Sequence, residues 1–131
     1  MKKTVLLLGT IGLSLFAYGA YIPIKAEIAQ MLINGAWNDT IARGEEYKPW
    51  SWADMHPVMK LSSEKHDQSF IVLSGDQGNS LAFGPGHNYN SYKPGDGGTV
   101  VISGHRDTHF EFLEDVSLDD VFEVTDRNNN T

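Results

Sequence analysis

An apolar run near the amino terminus limits the part of this chain that can form a water-soluble domain to the residues after it. It extends from Val5 to Ile22, directly behind two lysines, with Thr10 and Ser14 as mild interruptions. As a helix rising about 1.5 Å per residue, these roughly 18 residues would span about 27 Å, just short of a ~30 Å hydrocarbon core. The run therefore predicts either a membrane anchor or a cleaved export signal.

Under both interpretations, the part of the chain that follows the run is exported from the cytoplasm. As an anchor through residues 4–22, it would leave Lys2 and Lys3 in the cytoplasm. The protein would then be single-pass in the cytoplasmic (inner) membrane, with its domain on the periplasmic side. As a signal peptide, it would be cleaved near the small residues of Ala17-Tyr18-Gly19. The anchor is favoured because apolar character continues through Ile24. The predicted organisation is a signal anchor over 1–23, a linker helix and linker over 24–48, and a domain over 49–131.

Residues 26–43 predict a helix. One face of it would carry apolar residues at spacings near 3.6, namely Ile28, Met31, Leu32, Ala36 and Ile41. The helix is either a stalk that lifts the domain off the membrane or an element packed on its surface. Trp50 and Trp52, two residues apart, would face the same side of an extended segment. They predict internal packing or a platform for carbohydrate or a membrane surface.

The rest of the chain reads as mainly β. A hairpin is expected over 57–67 and 68–76, and further short strands over 80–83, 100–102 and 120–124, separated by turns rich in Gly, Pro and Asn. Such a pattern favours a small β-barrel or sandwich. Five strands would leave an open edge and a marginal core. The sequence therefore predicts the N-terminal portion of a longer protein, or a truncated product.

Several ionisable side chains follow directly after the predicted strand Val100-Val101-Ile102. Ser103-Gly104 breaks the strand, and His105 follows. Thr108 and Glu111 fit a capping box, which predicts a short helix beginning at Thr108 and leaves His105 in a strand-to-helix corner. An imidazole can exchange a proton near neutral pH, so His105 is the catalytic candidate. The alternative is a solvated loop histidine.

These residues resemble those of a known family. Ser103-Gly104-His105-Arg106-Asp107-Thr108, followed by Phe110 and Leu113, is similar to the histidine segment of sortases, the cysteine transpeptidases of bacterial surfaces. Leu81 to His87 and Pro94-Gly95 also resemble sortase sequence. The likeness runs from about Trp50 to Val124 and is closest to proteobacterial sortases.

The resemblance implies a sortase-like β-barrel and its reaction, without a cofactor. A cysteine thiolate would attack a backbone carbonyl of an LPxTG-like sorting signal in an exported protein, and an amine acceptor would resolve the acyl-enzyme. His105 matches the histidine that handles the protons, with Arg106 and Asp107 as supporting residues. Gly84, Pro85 and His87 are candidates for the substrate groove.

The sequence departs from that family in one decisive respect. It contains no cysteine, and the family's cysteine and arginine segments would come later in the chain. The chain alone is therefore expected to be inactive as a thiol transpeptidase or hydrolase. A non-catalytic peptide-binding module, or a remnant, is the alternative.

A third interpretation is a metal-binding hydrolase. His105, Asp107 and His109 are two residues apart, so an extended segment would turn all three to one side, where they could hold a divalent metal. The capping box argues against it, because a helix would turn His109 away. The net charge of −7 disfavours nucleic acid and anionic lipid headgroups as partners. Five carboxylates are expected to form a solvated face: Glu111, Glu114, Asp115, Asp119 and Asp120.

Overall fold

One long helix precedes the sheet in the computed structural model, which describes residues 2–131. Helix α1 runs over Lys2–Arg43 and continues through Pro23. In the described part of the chain, α1 is the one helix long and apolar enough to cross a membrane, and its most apolar 18-residue window has no buried residue. A signal sequence would satisfy the same criteria, so length and composition are compatible with either interpretation of the run.

Five short strands form one mixed sheet. They are β1 (Pro57–Ser63), β2 (Gln68–Ser74), β3 (Gly86–His87), β4 (Ile102–Ser103) and β5 (Glu123–Asp126). Their order is β4-β3-β2-β1-β5, with β2 and β3 parallel and the other neighbours antiparallel. Within residues 2–131 the sheet stays open, with β4 and β5 at its edges, and does not close into a barrel. Helix α2 (Asn79–Phe83) and a 3-10 helix (Glu111–Asp115) complete the fold.

The predicted hairpin is confirmed as β1 and β2, whereas three other strand predictions change. Residues 80–83 belong to α2, where the Gly84 amide donates to the Ser80 carbonyl. The strand predicted over 100–102 pairs only at Ile102–Ser103. The last strand begins at Glu123 because Asp120 closes a turn: its amide donates to the Ser117 carbonyl, and its carboxylate accepts from the Ser117 amide.

Helix α1 packs against the domain through small and branched side chains and one tryptophan. Its buried residues are Ala29, Ile33, Ala36, Trp37 and Thr40. Ile33 joins a core with Ala53, Met55 and Leu73, against which Trp50, Ile71 and Phe83 pack. Of the apolar face predicted from the spacing, Ala36 is buried against the domain, whereas Ile28, Met31 and Leu32 are exposed. The small Ala29 and Ala36 side chains let the helix approach the domain closely.

The opposite face of the sheet carries aromatic side chains. Successive residues of a strand point to opposite faces, so Phe70 lies on the other side of β2 from Ile71 and Leu73. Its ring stacks on Phe112 at 6.0 Å between centroids and meets Phe110 edge-on at 6.3 Å. The sheet therefore separates α1 from residues 103–113, which we call the histidine segment.

The two neighbouring tryptophans do not share an environment. The Trp50 ring packs edge-on against Phe83 at 5.2 Å, whereas Trp52 is 83% exposed. The Ala53 amide donates to the Trp50 carbonyl, so the segment turns instead of extending. The two-residue spacing therefore does not place both rings on one side.

Candidate active site

His105 lies just beyond the end of an edge strand. In the pairing of β3 with β4, Gly86 is opposite Ser103 and His87 is opposite Ile102. Among the described residues no strand pairs with the other edge of β4. Gly104 then carries the chain out of the sheet, and the His105 side chain is exposed to solvent.

The backbone of His105 organises the turn that follows it. Its carbonyl accepts hydrogen bonds from the amides of Phe110 at 3.1 Å and Thr108 at 3.4 Å. The predicted capping box is not formed: the 3-10 helix begins at Glu111, and Phe110 precedes it without a side-chain cap. The physical reason is that the Thr108 amide is drawn into the turn over residues 106–110.

A glycine is required immediately before His105. A Cβ atom at Gly104 would lie 2.8 Å from the Phe110 ring, closer than side chains pack. The Phe110 ring in turn meets Phe70 of β2. The corner that presents His105 is thus fixed to the sheet by aromatic packing, which suits a group that must hold a defined position.

His109 is the nearest ring to His105, at 6.3 Å between centroids. It is partly buried, lies edge-on to Phe70, and its Nδ1 atom is buried with no hydrogen-bond partner. Within residues 2–131 no three His, Asp or Glu side chains are grouped so that they could hold a metal ion. His105, Asp107 and His109 therefore do not form the metal site considered from their spacing.

Burial lowers the pKa of His109, and the nearby His105 lowers it further by charge repulsion. A protonated ring here would be a partly buried charge with one nitrogen left unpaired, which is unfavourable. His109 therefore acts as a neutral aromatic side chain that packs the histidine segment onto β2.

Acidification is expected to weaken the fold in the range below the ordinary histidine pKa of 6.5. The folded-state pKa of His109 is lowered, so the unfolded chain binds more protons in this range and stability rises with pH through it. We expect the free energy of unfolding, measured by urea denaturation at about pH 7.5 and about pH 5.5, to fall less in His109→Phe than in the wild type. The two proteins losing the same amount would contradict this assignment.

The side chains of Arg106 and Asp107 are exposed to solvent. The Arg106 guanidinium donates to the Glu114 carboxylate at 2.7 Å, with both side chains largely exposed, and such surface pairs contribute about 0–1 kcal/mol. Asp107 is also exposed, and among the described residues its carboxylate makes no hydrogen bond to His105. Their predicted supporting roles stay predictions.

The groove candidates lie in β3 and in the two residues that precede it. Gly84, Pro85 and His87 are all buried. The Pro85 carbonyl accepts from the Leu73 amide at 2.8 Å, and His87 Nε2 donates to the Tyr92 carbonyl at 2.9 Å. Continuing the β3–β4 register would set Gly84 opposite His105. The backbone of this segment is therefore brought beside the histidine corner.

A polar cluster that sequence reasoning missed braces the other end of the histidine segment. Asp120, whose side chain is 4% exposed, pairs with Lys65 and with His66 Nε2 at 2.7 Å. The His66 ring packs on Phe112 and Phe122. Lys65 chiefly, then the Ser117 amide and His66, hold the pKa of Asp120 well below its usual range. Asp120 is therefore a structural residue and not part of a solvated carboxylate face.

A cavity of about 390 Å³, whose lining includes His56, Ser74 and His87, was also missed. His56 Nδ1 accepts a hydrogen bond from the Ser74 hydroxyl (3.2 Å), and His56 Nε2 lies 3.4 Å from the Glu46 carboxylate. Ser74 is only 3% exposed, and its oxygen also accepts the His56 amide. A buried hydroxyl used in this way joins the end of β2 to residue 56 and is not an accessible nucleophile. Burial lowers the pKa of His56, with Glu46 opposing that effect.

These two polar groups have no local signature in the sequence. His66 and Asp120 are 54 residues apart in the sequence, and Glu46 and Arg127 are 81 residues apart. Short polar residues in loops indicate turns, and only the pairing of β1 with β2 and β5 brings these side chains together.

Comparison with known proteins places this geometry in a family. The sortase domain family model matches residues 61–131, which is more than half of the chain. Among solved structures, sortase A from Corynebacterium diphtheriae is similar with a TM-score of 0.52 and 30% sequence identity. The alignment covers 58% of this chain and 38% of that one, so the chain spans well under half the length of that sortase. A comparison with curated proteins gave no match.

The matched region contains strands β2 to β5, among them the edge strand β4, and the histidine segment beyond it. On the extent of the family match and the agreement of the fold, this chain belongs to the sortase family.

Proposed function

We propose that these residues are the anchored N-terminal part of a sortase-like cysteine transpeptidase. It would cleave an LPxTG-like sorting signal in exported proteins and transfer the product to an amine acceptor. The sequence holds no cysteine, so the thiolate would come from chain beyond these residues. Within them, His105 would handle the protons.

The position of His105 beside a free strand edge carries this proposal. His105 follows β4, whose outer edge has no partner among the described residues. A further strand pairing there could deliver a thiolate next to the imidazole. A nearby cationic group would hold such a thiol in its reactive, deprotonated form.

The chemistry balances with His105 as the single proton carrier. The thiolate attacks the carbonyl carbon, the C–N bond breaks, and protonated His105 gives its proton to the leaving amine. The acceptor amine then attacks the thioester, loses a proton to His105, and the C–S bond breaks to return the thiolate. Arg106 is paired with Glu114, so we assign it, with Asp107, a supporting role on the surface of the corner.

We further propose that α1 anchors the domain on the periplasmic side of the inner membrane. Lys2 and Lys3 precede the apolar run and would stay in the cytoplasm. The window that would cross the bilayer has no residue buried against the domain, as expected of a segment whose partner is lipid. The folded part begins only where α1 first becomes buried, at Ala29.

The alternative is a peptide-binding module without catalysis, and the absence of cysteine from the sequence favours it. Such a module would keep the histidine corner and bind a sorting-signal peptide without cleaving it. The two proposals differ in whether a thiol belongs to the native protein.

The test is the intact mass of the native protein extracted from its own membranes, with and without iodoacetamide. The transpeptidase proposal expects a species heavier than the 14.5 kDa of this chain, which gains one carbamidomethyl group. A native species of 14.5 kDa that does not react would overturn it. Peptide binding by that species, measured by titration, would then support the module.

A further inference from the structure

Trp52 is exposed at a groove formed between α1 and the domain. The groove has a volume of about 380 Å³, and its apolar lining includes Ile28, Leu32, Trp50 and Phe83. The Trp50 ring is turned inward against Phe83, so Trp52 is the aromatic side chain presented to the surroundings. A tryptophan that is 83% exposed beside other apolar side chains is a feature of binding surfaces.

The groove lies at the end of the domain closest to the apolar run. Ala29 is the first residue of α1 to be buried against the domain, and Ala29 also lines the groove. Ala29 lies seven positions after Ile22, a rise of about 10 Å along a helix. The headgroup layer outside the hydrocarbon is of similar thickness, about 5–8 Å on each side. The groove is therefore at the height where an interfacial layer would meet the domain.

An exposed apolar stripe connects the apolar run to the groove. Ile24, Ile28, Met31 and Leu32 follow helical spacing along one side of α1 and are each between 43% and 72% exposed. Their side chains are not buried against the domain, and the buried residues of α1 start at Ala29 and Ile33. The apolar surface of the anchor thus continues without a gap to the rim where Trp52 stands.

The charges of the groove also suit a lipid surface. Its lining carries one lysine, Lys25, and one aspartate, Asp54, so it lacks the negative excess of the whole chain, which has a net charge of −7. A lysine at this depth can extend its ammonium group to lipid phosphates while its stem stays on apolar surface. Tryptophan is the side chain most typical of the bilayer interface, where its ring is amphipathic.

We propose that Trp52 and the α1 stripe rest in the outer interfacial layer of the same bilayer that α1 crosses, and so fix the orientation of the domain on the membrane. This inference depends on the proposed anchoring by α1 and adds to it a second, shallow contact made by the domain itself.

The experiment uses the full chain in phosphatidylcholine nanodiscs, with and without bromine on the acyl chains near the headgroups. Resistance of the membrane-bound chain to carbonate extraction is measured first. Brominated lipid is expected to quench part of the tryptophan emission of the wild type, and Trp52→Phe is expected to lose that quenched part. Because Trp52 is exposed, the substitution leaves the core intact, which circular dichroism can verify.

A matched control introduces an exposed tryptophan at a position outside the groove. Tyr89 is 69% exposed and lines the cavity near Glu46, beyond the other end of α1. In the Trp52→Phe background, Tyr89→Trp is expected to give emission that brominated lipid does not quench.

The outcomes separate this inference from the proposal on which it depends. A chain that carbonate extracts overturns the anchor and this contact together. A chain that resists extraction, with Trp52 emission untouched by bromine, overturns the contact alone. A shift of Trp52 emission with a soluble oligosaccharide, in place of lipid quenching, would identify the surface as a carbohydrate platform and likewise overturn it.

Discussion

His105→Ala, introduced into a native form that carries the reactive thiol, is expected to lower kcat for an LPxTG-like peptide by about 10²–10⁴-fold, the usual contribution of a positioned acid–base group. His105 is exposed and its imidazole makes no hydrogen bond within the described residues, so its loss removes proton transfer without removing packing. The measurement is the rate of cleavage of a fluorogenic peptide in the presence of an amine acceptor.

The control for this result is His109→Phe in the same segment. His109 is the partly buried neighbour, 6.3 Å from His105 between ring centroids, and phenylalanine preserves its aromatic contact with Phe70. We expect cleavage by His109→Phe to stay close to the wild-type rate. Equal losses in the two variants would show that the histidine segment was merely disturbed. Full activity in His105→Ala would refute its assignment as proton carrier.

Gly86→Ala is expected to destabilise the domain by about 3 kcal/mol, the upper end of what overpacking usually costs. A Cβ atom at Gly86 would lie 2.1 Å from the Gly75 carbonyl oxygen and 2.9 Å from Asp76 Cα. These are backbone atoms, which cannot rotate aside as a side chain can. Because β3 is the strand that joins β4 to β2, forcing it outward would also displace His105.

The matched control is another glycine-to-alanine change, Gly35→Ala. Gly35 is exposed within α1, and a Cβ atom there would meet nothing within 4 Å. Alanine should stabilise the helix by about 0.5–1 kcal/mol. Urea unfolding in detergent, followed by tryptophan fluorescence, measures both variants. A Gly86→Ala protein within about 1 kcal/mol of the wild type, an ordinary effect for a point mutation, would contradict the steric argument.

The elements that could be predicted are those whose signal is local. The β1–β2 hairpin follows from apolar runs separated by polar turn residues, and the helical stretch around Ile33 follows from its spacing. Helical spacing alone could not select the buried side, because two overlapping apolar stripes exist and the domain took the one with the smaller residues, including Ala29 and Ala36. Local periodicity thus gave the helix but not its orientation.

The candidate site was predictable through its motif but not through its contacts. His105 could be singled out because an apolar strand ends just before it. In a capping box the Thr108 amide would bond to the Glu111 side chain, but here it donates to the His105 carbonyl. A capping pattern in the sequence does not take that carbonyl into account. Gly86 and His87 form a strand of two residues that depends on partners from elsewhere in the chain. No local pattern could therefore indicate that the groove candidates are buried.

The continuity of α1 from its apolar run to Ala29 determines how the domain can move. No loop interrupts the helix between the run and the first residue buried against the sheet. If the run spans a bilayer, a continuous helix and not a flexible linker connects the domain to the membrane. It would turn only as the anchor turns, and it could not swing outward to search for a partner. Encounters would then come from lateral diffusion, so His105 would meet only peptides presented at one fixed height above the lipid.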